Sequence, residues 1–207
     1  MSILIGCALL MGNMLARQQA EKLELLSREF AFGPGVQVQG APFCAAEVTE
    51  TAHARRVRGV YCRDGEGRTR VERGRVVVII DPVADVSYLM RGKKHPAVRG
   101  DAQAPLQSLD GDRVPSISKS AGTFAKRPLG TRTIEGLPAQ GIRSTETRGT
   151  DQVVIETWFS PDLQLVILTR YLDSRVGESV HKMIRVRRGE PDTSLFRLPP
   201  GYRVVSR

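Results

Sequence analysis

"ETWFSPDLQLVILTR", residues 156–170, sets a serine, a proline and an aspartate between two apolar runs. Read as chemistry, Ser160 and Asp162 are a nucleophile and a carboxylate. Read as structure, Pro161 and Asp162 are the tight turn of a hairpin, because proline presets φ and aspartate bonds its own backbone. A catalytic triad needs an imidazole lying between the other two groups in space. Ser160 and Asp162 are two residues apart, and His53, His95 and His181 are scattered along the chain. The turn is the simpler account, and it makes the flanking runs strands.

Centring the hairpin on Pro161–Asp162 and pairing outward sets Trp158 opposite Leu165, Glu156 opposite Ile167 and Ile155 opposite Leu168. A second hairpin through "DSRVGE", residues 173–178, sets Tyr171 opposite Val180, Leu165 opposite Val186 and Ile167 opposite Ile184. One face then collects Val154, Trp158, Leu165, Ile167, Tyr171, Val180, Ile184 and Val186. The other collects Val153, Ile155, Phe159, Val166, Leu168 and Met183, with Arg170, His181, Arg185 and Arg187 toward its margins. An antiparallel sheet ordinarily has one apolar and one polar face. This one is apolar on both in its middle, so its second face needs a cover. The cover is either an N-terminal helix or an apolar ligand whose acidic end meets the arginines.

Outward from that hairpin the pattern repeats. Strands are expected at 43–50, 54–63, 68–72, 75–81, 86–90, 129–134, 137–147, 153–160, 164–173, 179–189 and 201–205, with turn chemistry at "DGEG" (64–67) and "DPVAD" (81–85). Short connections force antiparallel neighbours. Residues 17–31 have helical period, with Leu23, Leu26 and Phe30 on one face, and "GPG" at 33–35 ends that helix. Residues 92–127 hold Pro96, Pro105, Pro115 and few large apolar side chains, and read as a long disordered loop. The fold class is therefore mainly β: a curved antiparallel meander, half-barrel-like, with an N-terminal helix. Residues 1–16 form an apolar segment, 17–39 the helix and linker, and 40–207 the β domain.

Composition bounds the partners. The chain of 207 residues is 41% hydrophobic, enough for a core without metals, and carries a formal charge of +9. That field draws anions, although an arginine-rich composition also follows from genome base composition alone. Residues 1–16 carry no charge; they are too short for a comfortable span and match the apolar region of a secretory signal. "LIGC" (4–7) also fits a lipid attachment at Cys7, and a buried first helix is the structural alternative. Cys44 and Cys62 fall opposite each other if the first hairpin centres on His53, and either form a disulfide or are two small core residues. No CxxC, HExxH, GxSxG, P-loop or GxGxxG occurs, which points to a non-catalytic protein with no metal and no cofactor. The runs "HARRVR" (53–58), "RTRVERGR" (68–75) and "RVRRG" (185–189) lack interleaved aromatic stacking platforms, which argues against nucleic acid.

"GAPFCAAEVTET" (40–51), "VYCRDGEGRTRVE" (60–72), "IDPVADVSYLM" (80–90), the stretch 156–178 and "RRGEPDTSLFRLPPGYRVV" (187–205) resemble a family of uncharacterised bacterial secreted proteins. More distantly, the chain is similar to the half-barrel of the outer-membrane lipoprotein carrier and of the periplasmic regulator sharing its fold. The grounds are the meander and a closing segment of Asp192, Ser194, Leu195, Phe196 and Pro199. The resemblance implies a concave apolar sheet shielding acyl chains and no catalytic residues. The expectation is a periplasmic or secreted binder of an amphiphile or acidic lipid, in contact with the membrane surface or anchored through its N-terminal segment. Trp158, Leu165, Val166, Ile167, Leu168 and Phe196 would give apolar contact, and Arg170, Arg185 and Arg187 would hold the acidic end. The second expectation is an envelope sensor or protein-interaction module, binding a protein partner through its sheet edge and basic surface.

Overall fold

The computed structural model describes residues 38–51, 54–102, 123–175 and 177–206. The expected apolar segment 1–16 and helix 17–31 lie outside the described residues. The described strands are β1 (Phe43–Thr51), β2 (Ala54–Arg63), β3 (Thr69–Arg73), β4 (Val76–Asp81), β5 (Val86–Arg91), β6 (Ala97–Gly100), β7 (Thr123–Ile134), β8 (Leu137–Arg148), β9 (Asp151–Ser160), β10 (Leu165–Asp173), β11 (Gly177–Arg188) and β12 (Val204–Ser206). A 3₁₀ turn, Thr193–Phe196, precedes β12. All the strands belong to one open, curved sheet, in the order β12-β6-β5-β4-β3-β2-β1-β11-β10-β9-β8-β7.

Two meanders, β1–β6 and β7–β11, are joined by the antiparallel β1–β11 pair. Every hairpin named by the sequence is present. Two departures concern the rest. The stretch 92–127, expected as a loop, contains β6 and the first five residues of β7, while 103–122 lie outside the described residues. The closing strand β12 runs parallel to β6, because the chain after β11 crosses the sheet before pairing.

The hairpin at 156–170 exists, but in a different register. Its loop is Pro161–Gln164, so Ser160 pairs with Leu165. The Leu163 N–H donates to Ser160 Oγ at 3.4 Å and the Gln164 N–H to the Pro161 carbonyl at 3.3 Å. A bulge between Val166 and Leu168 then pairs Trp158 with Leu168 and Glu156 with Arg170. Leu168 and Arg170 therefore share Trp158's face rather than the opposite one. In the next hairpin Tyr171 pairs with Ser179, not Val180. The cause is Leu163: at 1% exposure it is a core residue, and burying it draws the loop inward and lengthens it.

The larger core cluster gathers Phe43 and Ala45 of β1, Tyr61 of β2, Val71 of β3, Leu137 and Ala139 of β8, Trp158 of β9, Leu163, Ile167 of β10 and Met183 of β11. It thus spans the β1–β11 junction. A second cluster, Ile79, Met90 and Ala97, is covered by Leu198 and Tyr202 from the chain's own C-terminal segment. Both faces of β4–β5 are apolar, since Val78 pairs with Leu89 on one and Ile79 with Tyr88 on the other, whereas β3 sets Arg70 and Glu72 on the Ile79 face.

Two features fix β1–β2 to this core. Cys44 and Cys62 are Cα partners, 4.1 Å apart, and form a disulfide. Arg63 is 2% exposed. Its Nε and Nη2 donate to the Ala41 carbonyl at 3.2 and 2.9 Å, Nη2 also donates to the Leu163 carbonyl, and the guanidinium lies 5.1 Å from the Phe43 ring centroid. Burial lowers its pKa from the ordinary arginine value. A cation held by carbonyls satisfies loop backbone that no ladder reaches, and it ties the 161–164 loop to the end of β2.

Replacing Arg63 by Met keeps most of the volume but orphans two carbonyls. It should cost roughly 2–4 kcal/mol in urea unfolding; an unchanged midpoint would reject the clamp. Burial pushes the Tyr61 phenol up to about 12. The folded state favours the neutral form, so this contribution is complete below pH ~10 and lost as pH rises toward the folded value. Burial and the neighbouring Asp173 also raise the Tyr171 phenol, so ultraviolet absorbance should show late-titrating tyrosine that Tyr61→Phe reduces, with the unfolding midpoint falling over that same interval.

Candidate functional site

β7 is the outermost strand at its end of the described sheet and, at 12 residues, is as long as any in it. Pro128 stands inside it, which a strand tolerates only at an edge, where the missing N–H is not needed by a neighbour. Gly130, at φ 78, and a bulge between Pro128 and Gly130 follow. Only Leu129 and Ile134 of this strand are half-buried, and both pack on the larger core. The rest is exposed. Its charges are Lys126, Arg127 and Arg132, and it has no acidic residue. Phe124 is 44% exposed, with Lys126 Nζ 5.5 Å from its ring centroid.

Directly opposed residues share a face. Gly130 pairs with Gly141, Gly141 with Trp158 and Trp158 with Leu168, making one row from the edge into the sheet. A Cβ on Gly141 would stand 2.7 Å from carbons of the Trp158 ring, so the indole occupies the space a side chain there would fill. Arg132 lies over that ring, its Cζ 3.8 Å from the centroid. Trp158 is 5% exposed, and its Nε1 is buried without a hydrogen-bond partner. The next row runs Arg127, Arg143, Glu156 and Arg170. Glu156, 8% exposed, accepts from Arg143 Nε at 2.8 Å and lies 3.8 Å from Arg170 Nη1. Arg170 also makes a forked pair with Glu178, at 2.7 and 3.1 Å. That pair raises the Arg170 pKa and lowers that of Glu178. Arg127 and Arg132, by contrast, have no carboxylate partner among the described residues.

The nine residues expected to hold an amphiphile are only partly brought together. Trp158, Leu165, Ile167 and Leu168 do meet, at the larger core. Val166 pairs with Phe159 on the other face. Arg170 is matched by two carboxylates, so it is not a spare cation for a head group. Arg170 pairs with Val180, and Arg187 is seven residues further along β11, roughly 20 Å away; one head group cannot meet both. Arg185, at φ 54, is exposed, and its N–H donates to Glu135 Oε2 at 3.0 Å. Phe196 is buried and belongs to the Thr193–Phe196 turn, which lies against β3 and β4, where Arg70 Nη1 donates to the Leu195 carbonyl at 3.0 Å, on the Ile79 side of the sheet and away from Trp158. Ser160 is a turn acceptor, and its partner Leu165 is four residues along β10 from Thr169, the partner of His181. Among the described residues no group of three or more His, Cys, Asp or Glu could hold a metal ion, and no helix is long and apolar enough to cross a membrane.

No protein-family model matches the chain, and no curated protein matches it. Solved structures do. The chain is similar to MucB in complex with MucA(peri), at 15% identity and TM-score 0.46 over 90% of this chain and 61% of that one. It is also similar to the Pseudomonas aeruginosa MucA/MucB complex, at 15% identity and TM-score 0.45 over 89% and 63%. A LolA superfamily protein from Nitrosomonas europaea gives 13% identity and TM-score 0.21 over 86% and 97%. The chain spans about three-fifths of the length of the MucB structures.

Gly141→Val should displace the indole. We expect an altered Trp158 emission spectrum, read without interference because the chain has one tryptophan. Cross-strand packing of this kind is worth about 1 kcal/mol, and the unfolding midpoint should fall by that order. An unperturbed spectrum would show that ring and glycine are not in contact.

Proposed function

We propose that the chain is a non-catalytic binding protein of the bacterial envelope that takes an extended, acidic segment of a partner protein as an added strand on β7. What carries this reading is the edge itself: a long outer strand, almost wholly exposed, with three cations and no anion. A sheet edge offers a row of main-chain donors and acceptors that pairs with any extended chain, and side-chain charge then selects among them. The Cys44–Cys62 disulfide supports an oxidising compartment. An amphiphile held at the Trp158 core has less support, because of the three arginines expected to hold its acidic end Arg170 already serves Glu156 and Glu178.

The test replaces Phe124 with the photoreactive p-benzoylphenylalanine and irradiates intact cells. A discrete protein adduct is expected. It should weaken on changing Arg127→Glu together with Arg132→Glu, and purified binding should fall as salt rises and the Debye length shrinks below about 8 Å. Adducts to lipid alone would favour the amphiphile, and no adduct in an otherwise folded protein would remove the edge from consideration.

A further inference from the structure

The stacked pair Arg132–Trp158 points to a more specific chemistry. We infer that it is a carboxylate seat, taking one glutamate or aspartate side chain of the strand added on β7; this rests on the edge reading above. The argument starts from the row Gly130–Gly141–Trp158. Two adjacent glycines remove two side chains from the face beside the edge, and nothing stands within 4 Å of where a Gly130 Cβ would be. The indole fills the space over Gly141, so the opening lies at Gly130, on the edge itself, with the indole inward of it.

Arg127 and Arg132 flank Gly130 along β7, and both are exposed without a carboxylate partner among the described residues. In the neighbouring row Glu156 is already shared by Arg143 and Arg170, so it is not available to Arg127 or Arg132. Of the acids close to this end, Glu146 pairs with Arg148, and Glu135 in the β7–β8 turn is bonded to the backbone N–H of Arg185 rather than to a β7 arginine. Among the described residues Arg127 and Arg132 are therefore left without an ion pair beside the opening. Stacking on the indole holds the Arg132 plane fixed while leaving its N–H edges available, which is the orientation a forked contact with a carboxylate needs. A guest strand lying on β7 projects alternate side chains over this face, so a single acid at the right position meets Arg132 while its neighbours face away.

The probes are short blocked peptides of alternating threonine and valine with one central glutamate or, for comparison, one central glutamine. Binding is followed in two ways: by anisotropy of a labelled peptide, which reports any occupancy of the edge, and by Trp158 emission, which reports the seat. The glutamate peptide should bind about tenfold more tightly than the glutamine one, the size expected of one charge-assisted hydrogen bond, and should alone shift Trp158 emission. Arg132→Gln should make the two peptides equal, and Arg132→Lys should not restore the difference, because an ammonium has neither the fork nor the stacking plane. Arg132 is exposed, so folding should tolerate both changes. If both peptides bind wild-type protein equally without touching Trp158 emission, the seat is rejected and the edge survives. Glutamate selectivity that persists in Arg132→Gln also rejects the seat. If neither peptide binds, and no adduct forms at position 124, the edge reading falls with it.

Discussion

The β1–β11 ladder is the constraint on which the rest of the sheet depends. Every other antiparallel pair joins strands that follow one another in sequence, and those hairpins form locally. β1 and β11 meet across more than a hundred residues, from Phe43 opposite Arg188 to Thr51 opposite Ser179. Closing so long a loop costs entropy that only the completed core offsets. The ladder is reinforced by side chains on both sides: Thr49 Oγ1 and His181 Nδ1 are hydrogen-bonded at 3.0 Å, and Lys182 meets Glu50 at 3.0 Å. At its other end the Gly189 N–H donates to the Pro42 carbonyl at 3.1 Å. Separating these two strands would divide the larger core between two meanders, neither able to bury Phe43, Trp158 and Met183 alone.

Irregularities in the ladders place the functional chemistry. Bulges occur in β11 and in β2 where each pairs with β1, in β10 at Ile167 and in β7 at Leu129. Each adds a residue on one strand, bends it and resets which side chains share a face. The β10 bulge brings Leu168 under Trp158 and turns Arg170 toward Glu156. The β7 bulge lets Pro128 sit on the edge and sets Gly130 beside Gly141. A regular sheet with the same residues would put Arg170 on the other face, away from Glu156.

Much of this was readable in the residues. Turn chemistry and alternation located ten of the strands to within a few residues, and the spacing of Cys44 and Cys62 about His53 set them opposite each other. Pro128 within an extended run was a signal for an edge strand that the expectation, starting this strand at 129, did not use. The β6 strand was missed because Ala97–Gly100 is too short to show a period, and it is held by its neighbours on both sides rather than by its own pattern. The hairpin register failed at Leu163, where the turn residue has a place in the core that local sequence does not express.

By itself, then, the sequence determined a β meander of antiparallel hairpins, apolar on both sides, with a cysteine pair across the first hairpin. Those properties follow from interactions within about twenty residues, where turn type and alternation decide the outcome. Only the tertiary structure decided that β1 meets β11, that β7 is left outermost, that Arg63 is buried and Arg170 matched, and that Phe196 lies on the far side from Trp158. These are long-range facts: they depend on which ladder closes and where a bulge resets a face, and a one-residue change in register reverses every side chain downstream.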